Sequence, residues 1–228
     1  MSQLEHQSVF LTGGTGYMGS RLARMLVERG HELRALTRIP SVATLPRECH
    51  PVFGSAVGGG YDSHVPRACT FVHLVGVAHP SPAKAEQFRT VDLAALRVSV
   101  AAAVQANARH FVFVSVAHPA PAMKAYVAVR EECEQAIQES GLNATILRPW
   151  YVLGPGHRWP YLLLPMYWVT ERVPFTRETA LRLGLVTLPQ MLSALVTAVE
   201  NPSQGIEIVD VPGIRAASRR SFGHTEAK

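Results

Sequence analysis

The chain has 228 residues, of which 47% are hydrophobic and 17% are charged. These proportions are typical of a globular protein with one sizeable core. The net charge is +5, but +3 of it lies beyond Ile214, where four basic residues stand against one acidic residue. Because the rest of the chain is nearly neutral, no nucleic-acid partner is expected.

Cysteine usage and hydropathy predict a cytoplasmic protein without a membrane span. Cys49, Cys69 and Cys133 form no CxxC motif, which favours reduced thiols. The amino terminus, MSQLEHQSVF, is polar and unlike a signal peptide. Apolar runs stay shorter than the ~20 residues that cross a bilayer.

Apolar runs alternate with amphipathic stretches along the first two thirds of the chain. Strands are predicted at residues 8–13, 31–38, 50–55, 68–76, 109–116 and 143–149. Helices are predicted at residues 19–30, 84–107 and 122–140. This alternation predicts parallel strands joined by right-handed crossovers, hence an α/β protein with a doubly wound parallel sheet, the Rossmann fold.

The pattern loosens after Pro149. The segment 150–160 is predicted to be a loop, with short helices at 161–169 and 188–200 and a last strand at 205–211. We expect one domain over residues 1–213, with a small cap from about residue 150 to 200 beside the carboxyl ends of the strands. The tail, residues 214–228, is expected to fray.

A glycine-rich turn, TGGTGYMGS, lies between the first strand and the first helix. It contains GxGxxG from Gly14 and GxxGxxG from Gly13. Glycine permits a tight turn, a close backbone approach to a pyrophosphate and close packing of the helix. The uncapped helix end then attracts the anion. The predicted cofactor-binding residues of this turn are Gly13, Thr15, Gly16, Tyr17, Met18 and Gly19.

The second strand ends with Thr37 and Arg38, and no carboxylate lies between Leu33 and Ser41. A site selective for NAD places an acidic residue here, on the ribose 2′-hydroxyl. An arginine can instead pair with a 2′-phosphate. We therefore expect NADP(H) to be favoured over NAD(H), with an ordinary surface arginine as the alternative.

Two long segments carry a family resemblance. They are TGGTGYMGSRLARMLVERGHELRALTR, and FVFVSV followed by YVAVREECEQAIQESGLNATILRPWYVLGPG. Together they resemble the extended or atypical branch of the short-chain dehydrogenase/reductase superfamily, which includes NAD-dependent epimerases and dehydratases. The resemblance spans residues 8–157. It implies a Ser–Tyr–Lys site above the nicotinamide, in which the tyrosine is the general acid/base and the lysine binds the ribose.

Carried onto this chain, the resemblance predicts a site with departures. The tyrosine falls on Tyr126 and the lysine on Arg130, and the serine pair that often ends the fifth strand becomes Ser115 and Val116. The acidic residue near the adenine becomes Gly54–Ser55. The predicted catalytic residues are Tyr126, Arg130 and Ser115. The further cofactor contacts implied are Val75, Gly76, Tyr126, Arg130, Pro149 and Val152.

Tyr126 and Arg130 are one helical turn apart, so their side chains can meet. Arginine keeps the positive charge that favours a phenolate, but its planar group is bulkier than an ammonium. We expect an altered site; a tyrosine that only packs is the alternative. The sequence has no GxSxG and no HExxH, so neither a serine hydrolase nor a metal site is expected.

Two classes of function remain. One is an NADP-dependent oxidoreductase or epimerase-like enzyme acting on a small apolar or aromatic molecule. The other is a non-catalytic NADPH-binding redox sensor or accessory protein with a protein partner. The resemblance also suggests a homodimer.

Overall fold

The structure, a computed structural model, describes residues 6–120, 122–155 and 183–222, the last four without side chains. The strands are β1 Ser8–Thr12, β2 Glu32–Thr37, β3 His50–Phe53, β4 Thr70–His73, β5 His110–Val114, β6 Ala144–Leu147, β7 Tyr151–Leu153, β8 Leu185–Thr187 and β9 Ile206–Val209. The α-helices are α1 Gly19–Glu28, α2 Ala85–Gln87, α3 Ala94–Gln105, α4 Lys124–Glu139, α5 Leu188–Glu200 and α6 Val211–Phe222.

The central sheet confirms the predicted fold. Among the described residues it has seven strands in the order β3-β2-β1-β4-β5-β6-β9, and every pairing is parallel. The chain winds outward in both directions from β1 and β4. Such a switch point leaves a crevice at the carboxyl ends of the two strands, where ligands bind in open α/β sheets.

Helices cover both faces of the sheet. Leu22 and Leu26 of α1 pack with Leu195 and Val199 of α5 on one face. On the other face, Leu96 of α3 and other apolar side chains pack against the aromatic rings of β1, β4 and β5. These rings belong to Phe10, Phe71, Phe111 and Phe113. The crevice therefore opens at the edge of a sheet that is buried on both sides.

The long helix predicted at 84–107 is present, but a π-helical segment, Phe88–Leu93, separates α2 from α3. The α-helical pattern of the sequence gave no sign of this change. π-Helical turns are rare in proteins, but many of those that do occur lie at functional sites. This segment contributes a buried carboxylate, Asp92, to the site described below.

Three expectations for the last third of the chain differ from the structure. The predicted loop contains β7, which pairs in parallel with β8. The helix predicted at 188–200 is present as α5, but it packs in the core instead of a cap. The tail expected to fray is helical as far as Phe222, because Ile214 and Ala217 of α6 are buried. The predicted helix at 161–169 lies outside the described residues.

The described part of the chain contains no helix long and apolar enough to cross a membrane. Its three cysteines are buried and form no disulfide.

Three histidines of the described residues are buried, and burial lowers the pKa of His31 as well as those of His73 and His110. The two with the larger shifts, His73 and His110, should make the fold sensitive to acid. Burial, helped by the charge of Arg130, lowers the pKa of His73 to about 3. Burial and then Arg109 lower the pKa of His110 to about 4. Between these values and the ordinary pKa near 6.5, the unfolded chain binds protons that the folded protein does not. Stability is therefore full above about pH 6.5 and falls as the pH drops toward about 4.

We predict that the free energy of unfolding in urea falls by about 3 kcal/mol between pH 7.5 and pH 5.5, at about 1.4 kcal/mol for each histidine. His110→Gln removes one titrating group and should reduce the difference by about half. Equal free energies at the two pH values would contradict the assignment of neutral buried histidines.

Candidate active site

The glycine-rich turn is held by contacts that only glycine allows. Gly13 has a φ of +78°, and a Cβ atom there would lie 2.6 Å from the carbonyl carbon of Leu74, just after β4. A Cβ atom on Gly19 would lie 2.0 Å from the oxygen of Gly13. Helix α1 begins at Gly19 without a side-chain cap. Ser20 N–H and Arg21 N–H donate to the carbonyls of Gly16 and Met18. A helix that starts directly after a glycine turn is a typical anion site.

Within the turn, the Tyr17 side chain contacts residues outside the turn. The Tyr17 hydroxyl lies against Gly154, where a Cβ atom would approach it to 2.1 Å. The guanidinium of Arg21 stacks 4.6 Å from the centre of its ring and donates to its carbonyl at 2.6 Å. The Tyr17 side chain thus joins the turn to the end of β7. Gly16 is exposed, and Thr15 and Met18 are half-buried, so this part of the turn is accessible.

The end of β2 presents Arg38 to solvent. Thr37 is buried and its hydroxyl donates to the carbonyl of Arg38 at 3.2 Å, whereas Arg38 itself is exposed. Beside it, at the end of β3, the hydroxyl of Ser55 accepts from Gly58 N–H at 3.1 Å. The serine that replaces the expected acidic residue is therefore engaged in its own turn.

Tyr126 and Arg130 lie next to each other on α4. The Arg130 Cζ atom lies 5.0 Å from the centre of the Tyr126 ring and 5.5 Å from that of Phe113. Tyr126 is half-buried, and its ring meets Phe88 edge-on with centroids 5.0 Å apart. The guanidinium is therefore held between two aromatic rings, an arrangement that stabilises a cation.

The charge of Arg130 is paired with Asp92, which the sequence analysis missed. Arg130 Nη2 donates to Asp92 Oδ2 at 2.9 Å, and Nη1 donates to the carbonyl of Val114 at 3.2 Å. The other Asp92 oxygen accepts from Val77 N–H at 2.7 Å. One sequence signal existed: Asp92 is the only carboxylate between Glu86 and Glu131, inside an alanine-rich helix.

Burial opposes both charges of this pair. It raises the pKa of Asp92, although Arg130 and the Val77 N–H act against that rise. Burial also acts to lower the pKa of Arg130, but Tyr126 and Asp92 outweigh it, so that pKa rises above its ordinary value. Arg130 is therefore a cation at any pH at which the protein is folded.

Ser115 lies at the end of β5, but its hydroxyl is already engaged. It donates to Glu134 Oε1 at 2.5 Å. Arg148 also binds this carboxylate, through Nε at 3.0 Å and through Nη2, and His118 Nε2 lies 3.3 Å away. The next residue, Val116, is buried and brings no hydroxyl.

The remaining predicted contacts lie at the same edge of the sheet. Gly76 is exposed and Val75 half-buried in the loop after β4. Pro149, after β6, accepts from Ala117 N–H at 2.9 Å, and Val152 is half-buried in β7. In the described residues, no three histidine, cysteine or acidic side chains form a group that could hold a metal ion.

We predict that Glu134→Gln destabilises the protein by about 2 kcal/mol, because a buried carboxylate loses its charged bond to Arg148. The free energy of unfolding in urea would measure the change. Glu139→Gln on the same helix is the matched control, since Glu139 is exposed and, among the described residues, is bonded only to Gln135 at 2.7 Å. Equal stabilities of the two variants would show that the Glu134 cluster contributes nothing.

Comparisons with known proteins agree with this geometry. The model of a family described as NAD(P)H-binding matches residues 13–157. A ceramide reductase from Caulobacter vibrioides is 28% identical over 207 residues, which cover 89% of this chain and 64% of that protein. A 3-beta-hydroxysteroid dehydrogenase from Mycolicibacterium neoaurum is 29% identical over 117 residues, covering 46% of this chain and 31% of that protein. The chain thus spans less than two thirds of either relative.

Solved structures share the fold. The Bordetella bronchiseptica enzyme WbmH in complex with NAD+ superposes with a TM-score of 0.67 at 19% identity, covering 98% of this chain and 84% of that one. MoeE5 in complex with UDP-glucose and NAD gives a TM-score of 0.67 at 17% identity, covering 95% and 82%. The family match covers more than half of the sequence and includes the glycine turn, Tyr126 and Arg130. The chain therefore belongs to the NAD(P)H-binding family whose model it matches.

Proposed function

We propose that the protein is an NADP(H)-dependent oxidoreductase acting on a small apolar substrate, with Tyr126 as its proton donor and acceptor. The observation that carries the proposal is the contact of Tyr126 with the buried cation of Arg130. Both lie on the helix that follows β5, at the sheet edge where the glycine turn faces the crevice.

The residues of the site fit a dinucleotide. The uncapped start of α1 offers N–H groups to a pyrophosphate. Arg130 Nε is buried and has no hydrogen-bond partner among the described residues, which leaves one unsatisfied donor beside Tyr126. In the proposal, residues 13–19 hold the pyrophosphate, Thr37 and Arg38 the adenosine 2′-phosphate, and Val75 and Gly76 the ribose. Pro149 and Val152 would contact the nicotinamide, which would supply or accept a hydride.

In this site, Tyr126 transfers its phenolic proton to the substrate oxygen during reduction and takes it back during oxidation. The Arg130 cation stabilises the phenolate that remains, since a positive charge a few ångströms away favours the anionic form. Asp92 offsets part of that effect, because it neutralises the same guanidinium at 2.9 Å. The Ser115 hydroxyl donates to Glu134. Tyr126 is therefore the group that polarises the substrate oxygen.

The names of two relatives support an apolar substrate. The two relatives are named ceramide reductase and 3-beta-hydroxysteroid dehydrogenase. Ceramides and 3-beta-hydroxysteroids are both lipids that carry hydroxyl groups. The structural neighbours in complex with nucleotide sugars are under 20% identical and support the fold alone. The segment WYVLGPGHRWPYLLL, whose tryptophan, tyrosine and leucine side chains would suit an apolar or aromatic molecule, lies mostly outside the described residues.

A second candidate function is a non-catalytic NADPH sensor with a protein partner. It is favoured by the pairing of Arg130 with Asp92 and of Ser115 with Glu134, because both groups that would assist Tyr126 are engaged elsewhere. The two candidates share the cofactor and differ in turnover.

We predict that Arg38→Gln weakens NADPH binding by about 10-fold and leaves NADH binding unchanged, because it removes a cation from the 2′-phosphate. Titration of nicotinamide fluorescence would measure both affinities. Arg67→Gln, an exposed arginine before β4, is the matched control and should bind both nucleotides like the wild type. A parallel loss of both affinities in Arg38→Gln would contradict the assignment.

We predict that Tyr126→Phe lowers the turnover of a 3-ketosteroid with NADPH by at least about 100-fold, because general acid catalysis is lost. NADPH affinity should change less than about 2-fold, since the ring contacts with Phe88 and Arg130 remain. Absorbance of NADPH follows the reaction. Unchanged turnover would exclude Tyr126 as the acid, and a wild-type protein that binds NADPH but reduces no ketone would favour the sensor.

A further inference from the structure

Asp92 owes its position to the π-helical segment between α2 and α3. The segment spans Phe88–Leu93, and Asp92 is 1% exposed. A π-turn accommodates an extra residue and so changes which side chains face inward. A buried carboxylate without partners would be costly. Here the cost is offset because both carboxylate oxygens accept hydrogen bonds.

The contacts of Asp92 join three segments that end at the crevice. One oxygen binds Val77 N–H in the loop after β4, and the other binds Arg130 on α4. Through Arg130 Nη1, the connection continues to the carbonyl of Val114 at the end of β5. Movement of any one segment would therefore break a buried charged hydrogen bond.

The pair also supports the loop from below. A Cβ atom on Gly76 would lie 2.7 Å from Arg130 Nη2 and 3.6 Å from Asp92 Oδ2. The backbone of Gly76 thus rests directly on the ion pair. In the proposed function, this loop contacts the nicotinamide ribose.

We propose that Asp92 is a positioning residue for the nicotinamide half of the dinucleotide. It fixes Arg130 and the loop of residues 75–77 as one preformed unit, and it acts on the cofactor only through them. This inference rests on the proposed function, since it concerns the same site.

The departure from lysine to arginine at position 130 follows from the same geometry. The two Nη atoms of a planar guanidinium reach Asp92 and the Val114 carbonyl at once. A lysine ammonium is a single point charge on a flexible stem and does not fix its donors in one plane. Arg130 and Asp92 therefore form one functional unit.

The test compares two ligands that share only the adenine half. Adenosine 2′,5′-bisphosphate has the adenine and the 2′-phosphate but no nicotinamide, whereas NADPH has both halves. An amide has one acceptor oxygen where a carboxylate has two, so Asp92→Asn must lose either the Arg130 or the Val77 contact. We expect Asp92→Asn to weaken NADPH by about 10-fold and adenosine 2′,5′-bisphosphate by less than about 2-fold, measured by calorimetric titration.

Two further variants keep the test decisive. Glu132→Gln breaks the exposed ion pair between Arg89 and Glu132, which joins the same two helical segments at the surface, and it should bind both ligands like the wild type. Asp92→Asn leaves the Arg130 charge buried without its partner and can fail to fold. Asp92→Asn combined with Arg130→Gln removes both charges, and it should unfold cooperatively and show the same selective loss of NADPH.

The outcomes separate the two proposals. Selective loss of NADPH supports the positioning role. Wild-type affinity for NADPH in both Asp92 variants, or a parallel loss of both ligands, overturns it and leaves dinucleotide binding intact. A wild-type protein that binds neither ligand overturns the proposed function, and the positioning role with it.

Discussion

The close approach of the first glycine turn to the end of β4 is the constraint on which the site depends. Gly13 and Leu74 touch through backbone atoms, so the ends of β1 and β4 form a single surface at the switch point of the sheet. Any side chain at Gly13 would separate them. The start of α1, the end of β2 and the loop after β4 all take their places relative to this contact, because they follow directly from the strands it joins.

The second half of the site is organised by charge. A buried arginine is expensive to desolvate, and the structure surrounds Arg130 with two aromatic rings, a carbonyl and a carboxylate. A second buried carboxylate, Glu134, lies one turn further along α4 and accepts hydrogen bonds from Ser115 and Arg148. One helix therefore presents Tyr126 to the crevice and two neutralised charges to the sheet. In the proposed function, proton transfer is therefore left to the Tyr126 phenol.

The sheet and its order could be predicted because they follow from local patterns. Each buried strand is a short apolar run, and each crossover helix begins after a turn. The glycine spacing predicts the tight turn between β1 and α1 that borders the crevice. The resemblance correctly placed Tyr126 beside position 130, since four residues along a helix fix that distance whatever the tertiary fold.

The rest depends on contacts between distant residues. The π-helical segment has no sequence signature of its own, and it accompanies the pairing of Asp92 with a residue on another helix. β7 has three residues and becomes a strand only by pairing with β8. The tail was expected to fray, but Ile214 and Ala217 of α6, which are at helical spacing, bury one face of the helix. The sequence likewise gave no sign that the Ser115 hydroxyl is bonded to Glu134.

The most direct test of the account is a titration of the wild-type protein with NADPH and with NADH, followed by nicotinamide fluorescence. The wild-type protein should bind NADPH saturably, with at least about 10-fold preference over NADH, equivalent to about 1.4 kcal/mol. Binding of neither nucleotide would contradict this prediction.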